Sequence, residues 1–223
     1  MTARVAEISG MNADSHVLDL GCGRGRPVLD IAVSKGCSVV GIDLSDGHIA
    51  MAKEASKVYA KEKKPDIKAE FYAASYFELP EAVTSQTFTH VMMQTSMFYA
   101  HHRIDEILGT ISKVLRPGGI LVTTDFLRVS DDADDADVAL FVEKNSMRAI
   151  LSMDEMKAAF VRNGLQYCGG EDLDRHCMKC NAMKVAKILQ ENIDGFGTEI
   201  FNMRQEYIRL KKISFQIVMA SKS

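Results

Sequence analysis

Residues 17–27 read VLDLGCGRGRP, and this stretch decides the fold. An apolar run of strand length, interrupted by Asp19, leads into Gly21, Gly23 and Gly25 at every second position. Pro27 follows at once, where the first turn of a helix tolerates its missing N–H. A strand that turns through glycines into a helix clears backbone for the close approach of a ligand. Dinucleotide loops carry Gly-x-Gly-x-x-Gly, with the third glycine beneath a pyrophosphate, and here Arg26 stands at that place. Asp19, two residues before Gly21, would repel phosphate and suits a ligand carrying an ammonium group.

Working outward, strands and helices alternate. A short helix over residues 2–9 stops at Gly10, HVLDLG (16–21) is the first strand, and a helix over 27–35 ends at Gly36. CSVVGIDLS (37–45) is a buried strand rich in β-branched residues. From Asp46 to about Lys63, Ile49, Met51, Ala52, Ala55 and Val58 recur at helical spacing. IKAEFYAAS (67–75) and THVMMQTS (89–96) are the third and fourth strands, and residues 104–115 form an amphipathic helix. A tight turn, Arg116-Pro117-Gly118-Gly119, enters the strand ILVTTDF (120–126).

The last third is less regular. Residues 128–151 open with five Asp between Asp131 and Asp137, and a helix follows over 152–162 with Ser152 and Glu155 as a capping box. A sixth strand at 165–172, a long helical segment at 177–211 and an alternating final strand, KISFQIVMAS (212–221), close the chain. The pattern predicts an α/β fold, a Rossmann-like doubly wound sheet of seven strands, mostly parallel with an antiparallel last strand, and helices on both faces. In such sheets ligands bind beyond the carboxyl ends of the strands. The glycine loop, Asp43, Ser75 and Gln94 all fall there.

A chain of 223 residues, 47% apolar, suits one domain spanning residues 1–223. Its net charge of −3, without a clustered basic excess, argues against a nucleic-acid partner. With neither a membrane-spanning apolar run nor a signal-peptide pattern, the expectation is a soluble, cytoplasmic protein without a membrane partner. Five cysteines without framework spacing suit reduced thiols. The lone Cys177-Met178-Lys179-Cys180 lacks a second Cys/His pair, so two thiols in a helical segment outweigh a metal half-site or redox pair, and no metal is expected. His48 and His90 read as surface or packing residues, and Met92, Met93 and Met97 as sheet core and pocket lining. The sequence sets no oligomeric state.

DLGCGRG (19–25) resembles the first motif of class I S-adenosylmethionine-dependent methyltransferases. VVGIDLS resembles their second-strand motif, FTHVMMQTS their fourth strand, and KVLRPGGILV the entry to their fifth. The resemblance covers about residues 15–127 closely and 152–220 in outline. It implies S-adenosylmethionine as cofactor, S-adenosylhomocysteine as product and a small-molecule acceptor as partner. Gly21, Cys22, Gly23 and Gly25 would surround the methionine portion, with Asp19 orienting the loop and the ammonium end. Asp43 would bind both ribose hydroxyls and Leu44 would face the adenine. Ser75 occupies the place of an acid that many relatives use for the adenine amino group, leaving the Tyr76 backbone to help. Residues 15–127 would form a cofactor-binding half and 128–223 a substrate and lid half, with the N-terminal lid helices of relatives largely absent.

Gln94 and Ser96, with the acidic insertion, are most similar to the glycine, sarcosine and dimethylglycine N-methyltransferases and the related tocopherol and quinone branch. The leading expectation is therefore methyl transfer to an amine or amino acid nitrogen. The alternatives are C- or O-methylation of a quinone, terpenoid or polyketide-type acceptor, or a non-catalytic cofactor-binding subunit. Tyr99 and His101 are the candidate bases, against the reading in which the His101-His102 pair simply starts a helix. The Asp run would draw a cationic acceptor, or is a solvated face.

Overall fold

The computed structural model describes residues 1–63, 66–129, 135–191 and 198–223. Seven strands form one sheet in the order β3-β2-β1-β4-β5-β7-β6. They are β1 (His16–Leu20), β2 (Ser38–Asp43), β3 (Ala69–Ala73), β4 (Phe88–Gln94), β5 (Leu115–Arg128), β6 (Leu165–Asp172) and β7 (Ile213–Lys222). The first five pair in parallel, and β7 runs antiparallel to both β5 and β6. The expected architecture is present. β1 and β4 are neighbours from which the chain winds outward in opposite directions, so the sheet's switch point opens beside the end of β1.

The helices are α1 (Thr2–Ile8), α2 (Arg26–Lys35), α3 (Asp46–Glu62), α4 (Glu81–Thr84), α5 (Ile104–Val114), α6 (Ala136–Lys144), α7 (Met153–Arg162), α8 (Asp174–Glu191) and α9 (Glu199–Arg209). A 3₁₀ segment over Met97–Arg103 joins β4 to α5. The alternation of strand side chains divides the core in two. Val17, Val39, Met92, Val122 and Ile217 pack on one face with Val28, Ile49, Phe141 and Ile208 of α2, α3, α6 and α9. Leu18, Val40, Val91, Met93 and Val218 pack on the other with Ile107 and Ile111 of α5 and Met156 and Phe160 of α7. Ser152 caps α7 in the expected capping box, its hydroxyl accepting from Glu155 N–H.

Three boundaries differ from expectation. The long helical segment over 177–211 is two helices, α8 and α9, separated by residues outside the described set. β5 begins at Leu115 rather than after the glycine turn, because Leu115 already pairs with Phe88 of β4, and the turn is taken up as a register shift before Ile120 pairs with His90. The acidic run straddles the edge of the described residues. Asp131, Asp132 and Asp134 lie outside them, while Asp135 caps α6 and pairs with Lys212 of the β7 approach.

Candidate functional site

The three loop glycines all have positive φ, 84° at Gly21, 55° at Gly23 and 77° at Gly25, but they do different things. A Cβ on Gly21 would lie 2.6 Å from the Cβ of Ser96, and one on Gly25 2.9 Å from that of Ala52 and 3.0 Å from the Phe71 ring. Those two positions are cleared for the protein's own packing. A Cβ on Gly23 would meet nothing within 4 Å, so this glycine alone faces open space where a ligand can approach. Arg26 is the first residue of α2, and its side chain is 84% exposed, lying along the helix toward Asp30. A fourth glycine is unnecessary because the loop has already become helix.

The loop is tied to the neighbouring strand. Gly21 and Cys22 N–H both donate to the Ile42 carbonyl, and Gly23 N–H donates to Asp43 Oδ2 at 2.9 Å. Beneath it Asp19 is buried in the middle of the parallel sheet, and its Oδ1 has no hydrogen-bond partner among the described residues. An orphaned buried carboxylate oxygen is costly. Burial, with the charge of Asp43 added, pushes the Asp19 carboxyl up to about 8. A cation brought next to it would relieve both costs, and the ammonium of an amino acid ligand is such a group. The donor set therefore fits S-adenosylmethionine.

Asp43 Oδ1 accepts from Ser45 N–H at 3.0 Å and faces His48 Nδ1 at 3.2 Å. With Gly23, three of the roughly four acceptor positions of the carboxylate are used. His48, half exposed, is the partner that a pair of ligand hydroxyls can replace. Asp43, Leu44, Ser75, Tyr76 and Gly21 line one cleft of about 530 Å³, with Thr95, Ser96, Tyr99 and Arg103. Leu44 presents an apolar side chain that is 79% exposed at its mouth. Ser75 Oγ accepts from Phe77 N–H, and burial raises the Tyr76 phenol above its ordinary range. The Arg103 guanidinium stacks over Phe77 at 3.8 Å.

The end of β4 forms the wall between this cleft and a second cavity. Ser96 Oγ donates to the Leu20 carbonyl at 2.7 Å, locking the β4 end to the glycine loop. Thr95 has φ 56°, a conformation that costs a β-branched residue roughly 1 kcal/mol or more. Its N–H is held by Thr124 of β5. Gln94, expected at the cofactor, instead accepts from Thr2 Oγ1 at 3.0 Å and does not line the cleft.

Of the two candidate bases, the structure separates one from the cleft. His101 is enclosed, with Leu151 N–H donating to its Nδ1 and its Nε2 against Asp125 Oδ2, both at 3.2 Å. A backbone N–H can only donate, so Nδ1 is an acceptor and Nε2 carries the proton that Asp125 receives. Neither ring nitrogen is free for a substrate, and His101 is a brace between the 3₁₀ segment and β5. Asp125 is itself raised by burial, its amide contact being Phe126 N–H. Tyr99 stands apart, 46% exposed and lining both cavities.

The second cavity, about 430 Å³, shares Thr95 and Tyr99 with the first. Its other walls come from Phe98, Phe126, Phe215, His176, Cys177, Cys180, Asn181, Lys184, Arg204 and Met1. Both thiols of the Cys-x-x-Cys pair thus face it from α8, and burial pushes Cys177 up to about 11. No group of three or more metal-ligating side chains forms among the described residues. Sequence reasoning missed this cavity. One signal was available at Arg204, which lies on the helical stripe of Phe201 and Ile208, where a cation is out of place.

A family model described as a methyltransferase domain matches residues 11–194. The chain is 31% identical over 181 residues to the 27-O-demethylrifamycin SV methyltransferase of Amycolatopsis mediterranei (strain S699), covering 79% of this chain and 63% of that protein. It therefore spans less than two thirds of that relative's length. Among solved structures, a Galdieria sulphuraria protein assigned as a sarcosine dimethylglycine methyltransferase superposes with TM-score 0.83 at 14% identity, over all of this chain and 84% of that one. Geranyl diphosphate C-methyltransferase from Streptomyces coelicolor A3(2) superposes with TM-score 0.81 at 17% identity, over all of this chain and 79% of that one. The chain belongs to the methyltransferase-domain family, with the class I architecture that its glycine motif resembles.

Proposed function

We propose that the chain transfers a methyl group from S-adenosylmethionine to an oxygen or carbon of a small, largely apolar acceptor. The observation that carries this reading is the meeting of two unlike cavities at Thr95 and Tyr99. The cleft at the glycine loop is the cofactor site, with Asp19 and Gly23 at the amino acid end, Asp43 at the ribose, and Leu44, Ser75 and Tyr76 at the adenine. All of its lining residues fall within the proposed cofactor half, 15–127. The second cavity draws on both halves and is the acceptor site. When bound, the cofactor supplies a sulfonium methyl, which passes to the acceptor's electron pair as the carbon–sulfur bond breaks and S-adenosylhomocysteine forms.

The chain's own contribution is positioning and exclusion of water. Tyr99 borders both ligands and is placed to contact the acceptor atom that loses its proton. His101 and Asp125 hold the segment that carries it. An amine acceptor is the weaker reading, because no carboxylate lines the acceptor cavity among the described residues while Lys184 and Arg204 do. An ammonium ion would be repelled there.

The test is incubation with methyl-labelled S-adenosylmethionine and a panel of phenols, enols, quinols and amines, with calorimetry for S-adenosylhomocysteine. Labelled product from a phenol, enol or quinol is expected. Asp43→Ala should weaken S-adenosylhomocysteine by about 1.5–3 kcal/mol, the usual worth of a charge-assisted hydrogen bond. Label in the amines alone would contradict the acceptor assignment, and absence of S-adenosylhomocysteine binding would contradict the cofactor site.

A further inference from the structure

The acceptor cavity contains a cation that the fold has aimed but not neutralised. Arg204 is half buried on α9, and its Nε donates to Asn145 Oδ1 at 2.7 Å. Asn145 is itself buried and held by its own Nδ2, which donates to the Phe141 carbonyl at 2.8 Å. A neutral amide thus fixes the guanidinium without cancelling its charge. The plane is steadied by the rings of Phe126 and Phe201, at 5.3 and 5.9 Å. Among the described residues Arg204 forms no ion pair, and its terminal Nη groups have no hydrogen-bond partner. Lys184, one helix away, lies over the same Phe201 ring at 5.2 Å, also without an ion pair among the described residues. Both cations line the cavity, beside Phe98, Phe126 and Phe215. Burying a guanidinium without a carboxylate is unfavourable, and its proton affinity is lowered by that desolvation.

We propose that Arg204, assisted by Lys184, binds a carboxylate on the methyl acceptor, whose ring-bearing or polyunsaturated body lies against the three phenylalanines. This specificity rests on reading the cavity as the acceptor site. With Nε held by Asn145, the two Nη groups leave one planar edge that matches a carboxylate in a bidentate way, and the aromatic walls match a flat apolar body.

The test compares acids with their methyl esters on the protein saturated with S-adenosylhomocysteine. The probes are 4-hydroxycinnamate, 1-hydroxy-2-naphthoate and farnesoate, each with its ester, and geranyl diphosphate as a second anion. At least one acid should bind about tenfold more tightly than its ester, a margin ordinary for a charge-assisted pair. Arg204→Gln should abolish that margin while leaving S-adenosylhomocysteine affinity within about twofold, since the hydrogen bond and ring contacts of Arg204 go to Asn145, Phe126 and Phe201, none of which lines the cofactor cleft. Lys184→Gln, at an exposed position that leaves the fold intact, should reduce the margin by about two- to threefold. Equal binding of every acid and its ester, or a margin that survives both substitutions, would overturn the proposal. Geranyl diphosphate binding more tightly than all three acids would overturn the carboxylate assignment. Loss of S-adenosylhomocysteine binding in the wild-type protein would instead count against the cofactor reading, which separates the two failures.

Discussion

The two cavities share a wall at Thr95 and Tyr99 and differ in charge. The cleft at the glycine loop is lined by Asp43 and Arg103, with the Asp19 carboxyl buried beneath the loop and, among the described residues, without a partner for its Oδ1. Its neighbour holds two cations and four aromatic side chains, with no carboxylate in its walls among the described residues. A cationic cofactor placed in the first would meet the Asp43 carboxylate and the buried Asp19, and would be faced across Tyr99 by a cavity lined with Lys184 and Arg204. The difference teaches that charge sorts the ligands before shape does, since an ammonium-bearing molecule entering the acceptor cavity meets repulsion at short range.

The largest break in that comparison should come from Gly23→Val. Its Cβ enters space that no protein atom occupies within 4 Å, and its β-branched side chain resists φ 55°. Affinity for S-adenosylhomocysteine should fall by about a hundredfold or more, the loss of several contacts at once. Acid binding in the neighbouring cavity should be retained, as measured by calorimetry on the same protein. Gly25→Val sharpens the point, because its Cβ meets Ala52 and Phe71 rather than open space. That variant should lose stability first, seen as a lower melting temperature without ligand.

Asp19→Asn should produce the next largest effect, and with opposite signs for binding and stability. Burial raises the Asp19 carboxyl from 3.8 to about 8, so folding takes up a proton between those values. The native state therefore loses stability as pH rises across that window. Asn carries no charge to desolvate, so the variant should melt higher than wild type at pH 8, with the advantage shrinking toward pH 4. The same substitution should weaken S-adenosylhomocysteine about tenfold or more by removing the counter-charge to its ammonium. Thermal melts at three pH values and one titration suffice, and a variant that melts lower at pH 8 would refute the assignment of an uncompensated buried carboxylate.

The smallest effect should be at the described part of the acidic run. Asp135 is held below the ordinary carboxylate range by Lys212, whose side chain is 31% exposed against 9% for Asp135. Its depressed value means that any contribution is present above the unfolded pKa and fades as the group protonates at low pH. Asp135→Asn should shift the melting temperature slightly at neutral pH, with the shift declining as salt rises. Acceptor Michaelis constants should not change, because Asp135 lines neither cavity. A large change would show that the run steers the acceptor.

Much of the fold was legible because its signals are local. β1, the glycine turn and α2 are encoded within twenty consecutive residues, and the turn at Gly118-Gly119 and the capping box at Ser152 are equally short-range. The cleft proposed for the cofactor was legible for the same reason, since Gly21, Asp43, Leu44, Ser75 and Tyr76 each lie at or just past a strand end. What the sequence concealed are relations across the fold. Two of the three glycines are cleared for Ser96, Ala52 and Phe71 rather than for a ligand, a distinction visible only once α3, β3 and β4 are packed. His101 seemed near enough to act as a base, yet Leu151 and Asp125, distant in sequence, occupy both nitrogens. The second cavity is assembled from the 3₁₀ segment, β5, β7, α8 and α9; His176, Cys177, Cys180, Asn181 and Lys184 do recur on one face of α8, but that spacing does not say which distant elements the face meets.

The central claim, that a buried carboxylate beneath the glycine loop receives the ammonium of S-adenosylmethionine, is tested most directly by counting protons on binding. S-adenosylhomocysteine can be titrated into the protein at pH 7 in two buffers of different ionisation enthalpy. With the Asp19 carboxyl at about 8 in the free protein, most molecules hold that proton at pH 7, and pairing with the ligand's ammonium expels it. Release of close to one proton per ligand is predicted for the wild-type protein and none for Asp19→Asn. Equal proton release by the two proteins, or affinity untouched by the substitution, would contradict the account.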